Sequence, residues 1–147
     1  MNTAAELSRL LGPLRRSVLR ATRSAEGLPD LPEAQIELLR ALLAAGPLSP
    51  GEAARRLGVA NSTVSNLVKA MVNAGLVRRE QPPGDFRGVL LAPTDQALDL
   101  LDRYDRTSAS ALAEAIARLP PDERDALATA LPALAHLTEE LDARPAS

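Results

Sequence analysis

Ser49-Pro50-Gly51-Glu52-Ala53-Ala54-Arg55-Arg56-Leu57-Gly58-Val59-Ala60-Asn61-Ser62-Thr63-Val64 decides the fold, because it spells a capped helix, a sharp turn and the start of a second helix. Ser49 supplies an N-cap hydroxyl, Pro50 suits the first helical position, and Glu52 can reach back to the cap amide. Ala53, Ala54 and Leu57 recur at helical spacing as one apolar stripe, and Gly58 tolerates the left-handed backbone that a sharp stop needs. After a three-residue turn, Gly58-Val59-Ala60, the residues Val64, Leu67, Val68, Met71 and Val72 share one face of a second helix. That face must be buried, which leaves Asn61, Ser62, Thr63, Ser65, Asn66 and Lys69 outward.

The outward set consists of short hydrogen-bonding side chains and one long cation, a composition suited to base edges and phosphates in a major groove. A merely solvated helix face is the plainer alternative, but such faces carry Glu and Lys pairs at four-residue spacing. No acidic residue lies between Gly58 and Arg79. Asn73-Ala74-Gly75 ends the helix, and two β-prone runs, Leu76–Glu80 and Gly88–Ala92, then flank Gln81-Pro82-Pro83-Gly84-Asp85-Phe86-Arg87. An antiparallel hairpin follows as the expectation. Its tip presents Arg87, with Arg78 and Arg79 on a flanking strand, and a guanidinium there suits a narrow, negative minor groove or the backbone. Arg87 can equally pair with Asp85 on an exposed loop, and the two roles are compatible. Phe86, the only phenylalanine, is expected to tuck against the hairpin base, since an exposed ring costs solubility.

Leu57–Val64, Gly75-Leu76-Val77-Arg78-Arg79, Asp85-Phe86-Arg87 and Leu91-Ala92-Pro93-Thr94 together resemble the multiple antibiotic resistance regulator (MarR) family. Leu31–Leu39 resembles that family's second helix, and the helical segments outside 31–94 resemble its dimerisation helices. The resemblance implies a mainly α fold with a small β-hairpin wing, an α+β winged helix-turn-helix core flanked by N- and C-terminal helices. It implies major-groove contacts from Asn61, Ser62, Thr63, Ser65, Asn66 and Lys69, a minor-groove or phosphate contact from Arg87, and Asp85 orienting Arg87; Arg78, from its place on the wing strand, is expected to contact DNA as well. The sequence departs from the family at three positions. Ala60 replaces the usual Ser or Thr cap, which moves the expected cap to Asn61, while Asn66 and Phe86 stand where Arg is common.

The organisation expected is one domain over 1–147, with the winged helix-turn-helix core at 31–94 and dimerisation helices at 1–24 and 95–142. A chain of 147 residues can bury one core and leaves little room for a second. With one Phe, one Tyr and no Trp, the core must be built from Leu, Ala and Val, and binding that stacks bases on aromatics is disfavoured. The net charge of −2 conceals segregation. Residues 50–94 hold six basic and three acidic residues, net +3; residues 1–24 hold five basic against one acidic, net +4; residues 95–147 carry net −6. A basic footprint on a globally acidic chain is what a nucleic-acid partner requires.

No apolar run reaches the length of a membrane span and the start lacks the pattern of a secretory signal, so a cytoplasmic protein without membrane association is expected. The absence of Cys excludes disulfides and thiol-based metal sites, and one His, His136, cannot form a His cluster; no metal and no cofactor are expected. Leu7, Leu10, Leu11, Leu14 and Val18 form a helical stripe that Gly12-Pro13 should bend or restart. Leu98, Leu101, Leu112, Ile116 and Leu119 form another, and Leu127, Leu131, Leu134 and Leu141 a third, divided by Pro120-Pro121, with Pro132 able to kink the last helix. Lying outside the compact core, these faces either fold back or pack in a two-fold homodimer, and the dimer is the expectation.

A two-fold dimer reads a pseudo-palindromic double-stranded site with half-sites about one helical turn apart. The function expected is a homodimeric repressor of transcription; the family resemblance implies release by a small organic effector, phenolic or otherwise aromatic, with Arg15, Arg16, Arg20 and Tyr104 as candidate polar anchors in a pocket the sequence does not define. The competing reading is a winged-helix protein-interaction module. Enzymatic activity is not expected, since Ser62, Ser65 and Asp85 have no His near them in sequence and no nucleophile turn is present.

Overall fold

The structure, a computed structural model, describes residues 2–24, 27–82, 84 and 88–143. Its elements run α1 (Thr3–Arg23), α2 (Glu33–Ala45), α3 (Pro50–Leu57), α4 (Asn61–Asn73), β1 (Val77–Glu80), β2 (Leu90–Pro93), α5 (Asp95–Ala117) and α6 (Pro121–Asp142). The mainly helical fold with a small wing is as expected.

The boundaries of α3 follow from local chemistry. Ser49 Oγ accepts from the Glu52 amide at 3.2 Å and Glu52 Oε1 accepts from the Ser49 amide at 3.4 Å, a complete capping box. At the other end Gly58 adopts φ +68°, so its own amide and that of Val59 turn back onto the Arg55 and Ala54 carbonyls. Gly75 closes α4 in the same way at φ +77°, with the Leu76 amide 2.8 Å from the Met71 carbonyl.

β1 and β2 pair antiparallel in the register Val77↔Pro93, Arg78↔Ala92, Arg79↔Leu91 and Glu80↔Leu90. Leu48, between α2 and α3, exchanges both backbone hydrogen bonds with Leu91, at 3.1 and 2.7 Å, and so fastens the wing to the helices. Leu38, Leu39, Leu42, Leu48, Val64, Met71 and Leu91 fill the centre, each buried. Apolar burial of such side chains stabilises by roughly 1.5–3 kcal/mol each.

The chain divides into two compact units, 1–108 and 109–147. The first half of α5 belongs to the first unit, where Ala97, Leu100, Leu101 and Tyr104 enter the core. This corrects the expectation that the helix starting at residue 95 lies outside the compact core. The reason is the junction at Thr94: its hydroxyl donates to the Gly75 carbonyl at 2.6 Å and accepts from the Ala97 amide at 3.1 Å, turning α5 directly onto the end of α4. Tyr104 then holds the chain before α2, donating to the Pro29 carbonyl and accepting from the Leu31 amide.

α1 is one helix through Gly12-Pro13, not two. Proline withholds a single backbone donor, and the turns on either side retain theirs. Its far end is tied into the first unit by the Thr22 hydroxyl, buried 2.8 Å from Ser108 Oγ, while Leu10, Leu11 and Leu14 remain exposed. In the second unit α6 is continuous through Pro132 and buries no residue, with Leu127, Leu131, Leu134, Leu137 and Leu141 exposed.

Candidate nucleic-acid interface

α4 presents its polar face as the spacing requires. Val64, Val68 and Met71 are buried, and Asn61, Ser62, Thr63, Ser65, Asn66 and Lys69 are all exposed. Ser62, Ser65, Asn66 and Lys69 occupy positions i, i+3, i+4 and i+7, a single strip along the helix. Asn61 stands at its N-terminal end.

Asn61 is not the helix cap. Ala60 holds the N-cap position in extended backbone and offers no side-chain acceptor, while its carbonyl receives the Thr63 and Val64 amides at 3.1 and 3.3 Å. The apolar register sets this boundary: Val64 must be buried after a turn of fixed length, so the helix starts where the packing places it. The consequence is chemical, since Asn61 keeps its amide side chain free of capping duty at the exposed start of α4.

The six residues do not all face the same surroundings. Thr63 lines a cavity of about 330 Å³ with Ala34, Leu57, Val59, Leu67, Arg56, Glu33 and Glu37. Glu33, paired with Arg15, together with Glu37 and Arg56 gives that cavity mixed charge, and Thr63, one residue on from Ser62, lies at the edge of the strip. Ser65 and Lys69 open instead onto a cleft of about 270 Å³ between α4 and the wing, shared with Pro50, Val68, Arg79, Val89 and Leu91.

The strand alternation separates the two wing arginines. Arg78 faces the same way as Glu80, pairs with its carboxylate at 2.7 Å, and donates to the Pro93 carbonyl at 3.1 Å. Its guanidinium is occupied within the hairpin. Arg79 points to the cleft beside Lys69; the sequence places it with Arg78 on the wing strand without singling it out as a contact, although the period-two alternation after buried Val77 is the signal that separates the two. Arg87, Asp85 and Phe86 lie outside the described residues.

Among the described residues the one perturbed acid is Glu52, whose carboxyl is held below its ordinary pKa, first by the Ser49 hydroxyl, then by the Ser49 amide, with Arg55 and Arg56 adding to it. It stays ionised at the start of α3, where it favours the helix dipole. His136 lies exposed on α6. Among the described residues no group of three or more His, Cys, Asp or Glu is placed to hold a metal ion, and no helix is long and apolar enough to cross a membrane.

Residues 27–88 match the model of the MarR family. A relative from Bacillus subtilis, an uncharacterised HTH-type transcriptional regulator, is 39% identical over 95 residues, which cover 62% of this chain and 57% of the relative. The chain therefore spans little more than half the length of that protein. Among solved structures, RV1404 from Mycobacterium tuberculosis superposes with a TM-score of 0.77 at 24% identity, covering 98% of this chain and 99% of that one. The PcaV transcriptional regulator from Streptomyces coelicolor, solved with its natural ligand, gives 0.57 at 25% identity, with coverage of 92% and 96%.

Proposed function

We propose that the chain is a regulator of the MarR family, that it binds double-stranded DNA as a homodimer, and that it represses transcription from a pseudo-palindromic promoter site. One observation carries the proposal: α4 holds Asn61, Ser62, Thr63, Ser65, Asn66 and Lys69 exposed beside the wing, in a stretch of sequence without a single carboxylate from Gly58 to Arg79. Side chains this short bring a helix close to base edges. Asn66 can bond an adenine edge through two hydrogen bonds and Lys69 can reach guanine or phosphate.

The dimer is supported by leucines that this chain leaves uncovered, Leu10, Leu11 and Leu14 on α1 and Leu127, Leu131, Leu134, Leu137 and Leu141 on α6. Two copies joined through such faces acquire two recognition helices and a half-site spacing of about one turn of DNA. Arg87 at the wing, oriented by Asp85, supplies the minor-groove or phosphate contact. The protein acts in the cytoplasm, where its operator is. A small aromatic or phenolic effector would release the DNA by binding one separation of the recognition helices better than the other, and the PcaV regulator, solved with its natural ligand, supports ligand binding on this fold.

The test is a fluorescence-anisotropy titration against duplex DNA from upstream of the protein's own gene and against a scrambled duplex. Tighter, salt-sensitive binding to the upstream duplex is expected. Equal affinity for both, or none at low salt, would contradict operator recognition there and favour the reading of the winged helix as a protein-interaction module.

A further inference from the structure

The cleft between α4 and the wing holds an arrangement that the outer strip of α4 does not include. Lys69 and Arg79 come to it from different elements, one from the recognition helix and one from β1, and Ser65 lies one turn before Lys69 on the same side. Neither cation belongs to the ion pairs formed by the described residues, which use Arg9, Arg15, Arg23, Arg40, Arg78 and Arg106. The wing itself separates the roles of its arginines, since Arg78 is held by Glu80 and the Pro93 carbonyl while Arg79, paired in register with buried Leu91, extends past the core to the cleft.

The remaining walls are Pro50, Val68, Val89 and Leu91, which offer no anion to neutralise two like charges. Cations that face one apolar-walled cleft repel each other, and an anion seated between them turns that repulsion into two attractions that low-dielectric walls strengthen. The planar fork of Arg79 matches a phosphate bidentately, Lys69 adds a point charge, and the Ser65 hydroxyl can donate a third bond. Backbone phosphates run beside any helix lying in a major groove, at the place where the wing approaches.

We propose that Lys69 and Arg79 clamp one phosphate of the DNA backbone across this cleft, with Ser65 as a further donor, and so fix the depth and register of α4 in the groove. The clamp rests on the reading of α4 as a DNA-binding helix. It makes Arg79, not Arg78, the wing-strand cation that touches DNA.

Salt dependence isolates the clamp, because each neutralised phosphate contributes about 0.9 to the slope of log affinity against log salt concentration. The full-length chain, Lys69→Ala, Arg79→Ala, the double variant and Arg106→Ala as a charge-matched control are titrated with operator and scrambled duplexes over a salt series. Thermal unfolding checks that each variant is folded. If both cations of each chain share one phosphate, the double variant loses about 0.9 of slope per bound chain, about 1.8 for the dimer on its operator, and the two single losses do not add. Arg79→Ala weakens binding to both duplexes alike, and Arg106→Ala keeps the native slope. A loss of about 1.8 per bound chain, about 3.6 for the dimer, means two separate phosphates and overturns the clamp. An unchanged slope in folded Arg79→Ala overturns it too while leaving the regulator intact, whereas absence of DNA binding by the unaltered chain overturns both.

Discussion

Leu39 and Leu131 are the same residue in the same kind of element, yet Leu39 on α2 is 1% exposed and Leu131 on α6 is 62% exposed. The winged core closes over its leucines from several directions, with α2, α3, α4, the wing and the first half of α5 each contributing side chains. α6 has an equally regular stripe and buries none of it. Periodicity therefore states that a face wants a partner, while only the surrounding chain decides whether the partner is internal. In this molecule the core is complete within one copy, and the terminal helices are where the proposed dimer would seat a second copy.

The sharpest way to break this contrast is to truncate both leucines. Leu39→Ala should cost about 2–5 kcal/mol, read as a large drop in the denaturation midpoint, because it leaves a cavity in a close-packed site. Leu131→Asp should leave the core's own unfolding nearly unchanged and weaken self-association by about 2 kcal/mol or more, read by sedimentation velocity. Equal destabilisation of a monomer by the two changes would erase the distinction.

The junction between the two regions sharpens it further. Tyr104→Phe keeps the ring in the core but removes the hydroxyl that bridges the Pro29 carbonyl and the Leu31 amide, leaving them only their mutual bond at 3.1 Å, and should cost about 0.5–1.5 kcal/mol of thermal stability. If α5 served only a partner copy, this change would be silent in unfolding and visible only in association.

The smallest effect concerns Glu52. Its folded pKa lies below the unfolded value, so it contributes stability that is fully present above the ordinary carboxylate range and is lost as the pH falls through the folded value. The stability difference between the native chain and Glu52→Gln should be present at neutral pH and shrink on acidification below about pH 4. A difference that persisted into strong acid would contradict an ionic role for the capping box.

Much of the core was legible because its signals are local. Ser49 and Glu52 sit three residues apart, Gly58 follows the last apolar position, and the outward face of α4 follows from counting by 3.6. What escaped depends on contacts distant in sequence. Ala60 takes the cap because burial of Val64 fixes the register, a tertiary constraint that outweighs the preference of Asn61 for capping. Leu101 and Tyr104 enter the core because Thr94 folds α5 back onto Gly75, and Leu48 meets Leu91 across the intervening helices. The distinction between Arg78 and Arg79 was available from strand alternation, but only the cleft beside Lys69 gives it meaning.

The division of labour between a self-sufficient core and partner-seeking helices is tested most directly by stoichiometric titration of the chain on a full pseudo-palindromic duplex and on a duplex carrying one half-site. The account predicts two chains bound to the full site with much higher affinity than to the half-site, and loss of that advantage in Leu131→Asp. One chain per duplex, or equal affinity for the half-site and the full site, would contradict it.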